Sequence, residues 1–280
     1  MDLGDLIERF LHTGEVDARA PGWPRRSRVE RAAAEDSLRA VLAKVVRYRA
    51  HRAPGRGRGA NGDPPELSAS ALGPRLSPML EGLLGVEAAG TLLAALPGRL
   101  LVPSPQNFEA LAARLPPSVA WSLANLLLDD LGAPTLADDV PVLDGFCWDA
   151  RAYIAGRALR ARDLGGDARD VVVHELAHLL HDVPNGVFGL RPAKAPPIAV
   201  PPARQETFAY AVELFSCRLR DGRWPSFDAL LHDRRVDAAA LVALRLGCEA
   251  DLGAGWSLLR HFGAEGALTV CPGVEAARAG

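Results

Sequence analysis

The run DVVVHELAHLLHD, residues 170–182, constrains this chain more tightly than any other stretch. A β-branched triplet, Val171 to Val173, leads into His-Glu-Leu-Ala-His, and the apolar Leu176 and Ala177 fill the positions between the histidines. On a helix, residues four apart share a face, so the imidazoles of His174 and His178 project side by side and can reach one cation. Glu175 points to the flank, where a carboxylate can take a proton from water without replacing that water at the metal. A random chain with seven histidines in 280 residues shows this HExxH spacing on the order of 1 time in 100. The apolar residues within and before the motif, expected of a helix with a buried face, argue further against accident. A structural pair of satisfied histidines is the competing reading.

Zinc in hydrolases takes three protein ligands and leaves a fourth position for water. The metzincin solution, a third His ten residues after the first, is excluded because Pro184 stands there. The other solution is a Glu on a downstream helix, and QETFAYAVELFSC, residues 205–217, offers one. In it Phe208, Val212 and Phe215 form an apolar stripe, while Glu206, Tyr210 and Glu213 line up on another face. Carboxylates at successive turns of a buried helix need compensation, which a divalent cation and its histidines supply. Glu206 is therefore expected as the third zinc ligand and Glu213 as an acceptor for the Nδ1 of a ligating His. For Glu213 a plain solvated helix face is the alternative. His181 shares the face of His174, but one straight helix does not readily set three side chains around a tetrahedral ion. It is expected behind the ligands or against substrate, or as an ordinary helix-end residue. Asp182, His232 and His261 are weaker candidates.

The remaining sequence sets the frame. Apolar residues make up 49% and charged residues 24% of the chain, the balance of a globular protein. A net charge of -2 gives no general pull toward nucleic acid or acidic lipid. No apolar run approaches a membrane span, and the acidic MDLGDLIERF start lacks the basic opening of a secretory signal. A cytoplasmic location is expected. Cys147, Cys217, Cys248 and Cys271 form no CxxC pair, so they are read as buried reduced thiols. Residues 27–51 have helical spacing, and APGRGRGANGDPP, residues 53–65, reads as an exposed linker. The segments EGLLGVEAAGTLLAAL and SVAWSLANLLLDDLG, and in the tail PSFDALLHD, VDAAALVALRLG and GWSLLRHFG, read as helices. VPVLDGFCW and RAYIAGRAL read as strands. The expected fold class is α+β and mainly helical: a helical N-terminal region over 1–132, then a domain over 133–280 with a small sheet, the metal motif and a helical tail.

Taken together, VVVHELAHLLHD and QETFAYAVELF resemble the two zinc-binding helices of gluzincin metallopeptidases. The E-x-F-A-x-x-x-E-x-F pattern is similar to the lethal-factor-like and Mlc-titration-factor-like branch, and more loosely to the ImmA/IrrE regulatory peptidases. The resemblance covers Val140 to Cys217. It implies a zincin-like domain with Zn2+ on His174, His178 and Glu206, Glu175 as general base and acid, and hydrolysis of a protein or peptide substrate. Relatives place a Tyr shortly before the ligand Glu to steady the oxyanion, whereas KAPPIAVPPARQ contains none. Arg204, Arg191, Tyr210, a histidine from the tail or His181 are the candidates for that role. By position, RAYIAGRAL corresponds to the edge strand that holds extended peptides in such enzymes, or it is an ordinary sheet strand. The proline-rich stretch over 185–204 between the two helices is expected to border the cleft and restrict substrates, as in a processing or regulatory peptidase. A catalytically silent zinc protein used for partner binding is one alternative. A DNA-associated regulator using the arginine-rich residues 27–59 is another, disfavoured by the overall charge.

Overall fold

The computed structural model describes residues 3–16, 23, 27–53, 67–140, 143–160, 170–180, 202–224, 236–250 and 259. Among them the chain is mainly helical with one three-stranded sheet, an α+β composition. It divides into two compact units that interleave along the sequence: residues 1–65, 102–145 and 153–160 form one, and residues 66–101, 146–152 and 161–280 the other. These limits do not coincide with a boundary at 132/133, because residues 66–101 group with the segment that carries the HExxH motif.

The first unit is built on α1 (Leu3–Thr13), α2 (Arg28–Arg52), α5 (Phe108–Ala112) and α6 (Pro117–Asp130). Ser27 caps α2 by accepting the Glu30 N–H at 3.1 Å, which is why the helix starts there. Leu38, Leu42 and Val46 are buried in it, as their spacing predicts. Three of the six α2 arginines are engaged within this unit. Arg39 donates to Asp36 and the Leu115 carbonyl, Arg47 to Glu109 at 2.7 Å, and Arg49 to the carbonyls of Pro134 and Thr135. Gly14 follows α1 with φ +70°, and a Cβ there would lie 2.7 Å from the Trp121 ring. The ring cannot retreat freely, because its Nε1–H donates to the Leu11 carbonyl at 2.9 Å. Gly14→Ala combines left-handed strain with overpacking and is expected to destabilise by about 1–3 kcal/mol. An unchanged urea midpoint would show that the indole has room to move.

The second unit holds α3 (Ala69–Leu84), α4 (Val86–Ala95), α8 (Val171–Leu180), α9 (Pro202–Asp221) and α10 (Ala238–Ala250). The EGLLGVEAAGTLLAAL segment is split between α3 and α4 at Gly85, whose φ of 83° ends the first helix. Strands β1 (Leu100–Leu101), β2 (Gly145–Trp148) and β3 (Arg151–Ile154) form a sheet in the order β1–β3–β2. Asp149 and Ala150 join β2 to β3 with φ of 48° and 53°, the left-handed pair a two-residue hairpin turn requires.

One expectation for this region is corrected. RAYIAGRAL is a strand only as far as Ile154, and from Gly156 it becomes the short helix α7 (Gly156–Arg160). Asp130 explains the switch, since its carboxylate accepts the N–H groups of Gly156 and Arg157 at 3.1 and 2.8 Å and so nucleates a helix start. Of the two readings of this segment, the ordinary sheet strand holds for β3. It lies between β1 and β2 with Ala152, Tyr153 and Ile154 buried, and the Ala152 N–H donates to Arg99 at 2.8 Å.

Cys217 is a buried thiol and Cys147 a half-buried one, neither in a disulfide, so burial of all four thiols does not hold at Cys147. No described helix is long and apolar enough to cross a membrane. The 54–65 part of the expected linker, residues 181–201 with His181, Asp182 and Arg191, the PSFDALLHD segment with His232, the GWSLLRHFG segment with His261 apart from Leu259, and Cys271 lie outside the described residues.

Candidate metal centre

The site is assembled by α8 and α9, which pack together within the second unit. In α8 the apolar positions Val172, Val173, Leu176, Ala177, Leu179 and Leu180 are buried, and this leaves His174 and His178 together on the one less buried face. In α9 every residue from Thr207 to Cys217 is buried. Glu213 therefore does not stand on a solvated face: it is 3% exposed in the middle of a packed helix.

Three candidate ligands converge. His174 Nε2 and His178 Nε2 lie 3.2 Å apart, with Glu206 oxygens 3.8 Å from the first and 3.6 Å from the second. Donors bound at zinc distances in a tetrahedron are about 3.3 Å from one another, so the separations fit a shared ion. Among the described residues this is the one group of three His, Cys, Asp or Glu side chains able to hold a metal, with ligand atoms within 4.8 Å of one another.

The surroundings of His174 support the same use. Its Nδ1 lies 3.2 Å from Glu213 Oε2. With Nδ1–H donating to that carboxylate, Nε2 carries the lone pair and faces His178 and Glu206. The ring is also held edge-on by Tyr210, 4.5 Å between centroids. Burial works against a charged imidazole at His174, but the Glu213 carboxylate, joined by Glu175 and Glu206, outweighs it and holds the pKa above the ordinary value. The cause is a concentration of negative charge, which a divalent cation at the convergent lone pairs would neutralise. Glu213→Ala is expected to weaken zinc affinity by about 10–100-fold, because it frees the His174 ring to turn and removes its hydrogen-bond partner. Competition against a chromophoric chelator measures this, and an unaltered affinity would leave Glu213 without a role at the metal.

Glu175, one residue from His174, is 5% exposed, and its Oε2 has no hydrogen-bond partner among the described residues. Burial pushes its carboxyl up to about 7, with His174 and the Cys147 thiol pulling the other way. A carboxyl of that strength can both accept and return a proton near neutral pH. The Cys147 thiol donates to the Glu175 backbone carbonyl at 3.3 Å, steadying the helix at this point.

Of the other residues singled out from the sequence, Arg204 is half-buried in the first turn of α9, two residues before Glu206. Tyr210 packs on His174, and His181 lies outside the described residues. Three residues escaped the sequence reading. Asp170 caps α8, its Oδ1 accepting the Val173 N–H at 3.2 Å, and it is gripped by Arg75 and Arg220. An Asp directly before the β-branched run was a legible cap signal. Its partners, 95 and 50 residues away, left none. Comparison of the chain with protein-family models, with curated proteins and with solved structures finds no match.

Proposed function

We propose that this chain is a zinc-dependent peptidase with a zincin-like catalytic unit, in which His174, His178 and Glu206 hold the metal and Glu175 handles protons. The observation that carries the reading is the convergence of the three ligand atoms from two helices, beside a buried carboxylate with one oxygen unpartnered among the described residues. A zinc ion held there supplies Lewis acidity, which acidifies water and polarises a peptide carbonyl. Glu175 takes the proton from the attacking water and hands it to the departing amine. Glu213 and Tyr210 keep the His174 ring aligned throughout.

The thiols Cys147 and Cys217, neither in a disulfide, fit a cytoplasmic protein. The substrate is a selected protein or peptide. Two features favour an enzyme over a catalytically silent zinc protein. Structural zinc sites are closed by four protein ligands, whereas this group has three among the described residues. A structural site also has no use for a buried carboxylate next to a ligand with one oxygen unpartnered among the described residues, which costs stability. Metal analysis of the full chain, with peptide-library hydrolysis measured on the same preparation, tests the proposal. A chain without bound metal after zinc reconstitution would end it.

A further inference from the structure

Zinc bond lengths are met to within about 0.2 Å, a tighter tolerance than apolar side chains alone impose on two packed helices. Something must hold α8 and α9 in register. The buried polar groups of the second unit offer a candidate at the end of α8 from which His174 projects.

Asp170 makes contacts in three directions. Its backbone carbonyl accepts the His174 N–H at 2.9 Å and its Oδ1 accepts the Val173 N–H at 3.2 Å, so the peptide frame of the first ligand starts from this residue. From α3, Arg75 grips the same carboxylate with two prongs, Nε at 2.9 Å and Nη2 at 2.5 Å. From the last turn of α9, Arg220 donates Nη1 to Oδ2 at 3.0 Å. The helix whose last turn holds Arg220 is the one that carries Glu206 and Glu213. Arg220 is in turn shared with Asp221 at 3.0 and 3.1 Å, so the cluster balances two arginines against two aspartates. That balance allows the Asp170 side chain to sit only 2% exposed. A helix cap alone requires no such partners, since a serine would serve.

We propose that Asp170, held by Arg75 and Arg220, is the positioning residue that sets the register between the two ligand-bearing helices and thereby the affinity and coordination geometry of the metal centre. The inference rests on the metal-centre reading above. It assigns Asp170 no contact with metal or substrate. Its effect passes through the backbone of His174 on one side and the rigid rod of α9 on the other.

Cobalt(II) titration of the metal-free full chain tests it, because the visible absorption of cobalt reports coordination geometry without any turnover. Wild type is expected to bind Co(II) with the intense bands of a four-coordinate site. Arg220→Gln, at a half-exposed position, is expected to stay folded, weaken Co(II) binding by about tenfold and alter the band intensities. Asp170→Asn is expected to weaken binding further, by about 100-fold; where it does not fold, Arg220→Gln decides. Gly14→Ala, destabilised in the other unit, is expected to keep wild-type affinity and spectrum. Arg220→Gln with wild-type affinity and spectrum, or Gly14→Ala losing affinity to the same degree, would reduce the cluster to general stability and overturn the inference. Wild type that binds no cobalt would instead remove the metal-centre reading itself.

Discussion

Glu175→Gln is expected to retain zinc at the wild-type stoichiometry while peptide hydrolysis falls by about 10²–10⁴-fold. The amide matches the carboxylate in size, so packing around a side chain that is 5% exposed is preserved. What disappears is the group able to accept a proton from water. The ligand atoms belong to His174, His178 and Glu206, so metal content has no reason to change. Metal-free Glu175→Gln is expected to be at least as stable as wild type, since a buried carboxylate with one oxygen unpartnered among the described residues gives way to a neutral amide. Loss of turnover without loss of stability is the signature of a catalytic residue; equal cleavage by variant and wild type would strip Glu175 of the role.

The second large effect concerns the ligands. His174→Ala and Glu206→Ala are each expected to abolish tight zinc binding and, with it, hydrolysis. Two remaining donors do not complete a zinc site. Because folded protein alone presents the convergent donors, zinc at about 100 times its Kd stabilises wild type by about 2.7 kcal/mol, and neither variant shares that gain. Thermal unfolding with and without zinc reads the difference directly. Chelation should bring wild type down to its metal-free Tm and leave the variants where they were. A zinc-dependent rise in Tm as large in either variant as in wild type would remove that residue from the ligand set.

Much of the candidate site was legible because it is written in local periodicity. His174 and His178 are one turn apart, and Glu206, Tyr210 and Glu213 recur along one stripe, so helix geometry alone aligns each set. The structure brings those two sets to a common point. The sheet was less legible. GFCW and RAYI are short, and the sequence that continues as GRALR has no mark separating strand from helix until Asp130, 26 residues earlier, receives its N–H groups. α3 runs through Pro74 and Pro78, which local propensity reads as breaks. Burial of Leu72, Leu76, Met79, Leu80 and Leu83 offsets that cost, and burial is a property of neighbours rather than of the segment.

From sequence alone came the helical faces and the chemistry each presents: two imidazoles with a flanking carboxylate, and two carboxylates on a downstream helix. Tertiary structure decided how far apart those faces stand, that Glu213 is buried against His174 instead of facing water, and that Asp170 is gripped from both α3 and α9. The physical reason is range. Side-chain direction follows from backbone dihedrals within a few residues, whereas the approach of two helices depends on everything packed around them, including partners as distant as Arg75 from Asp170.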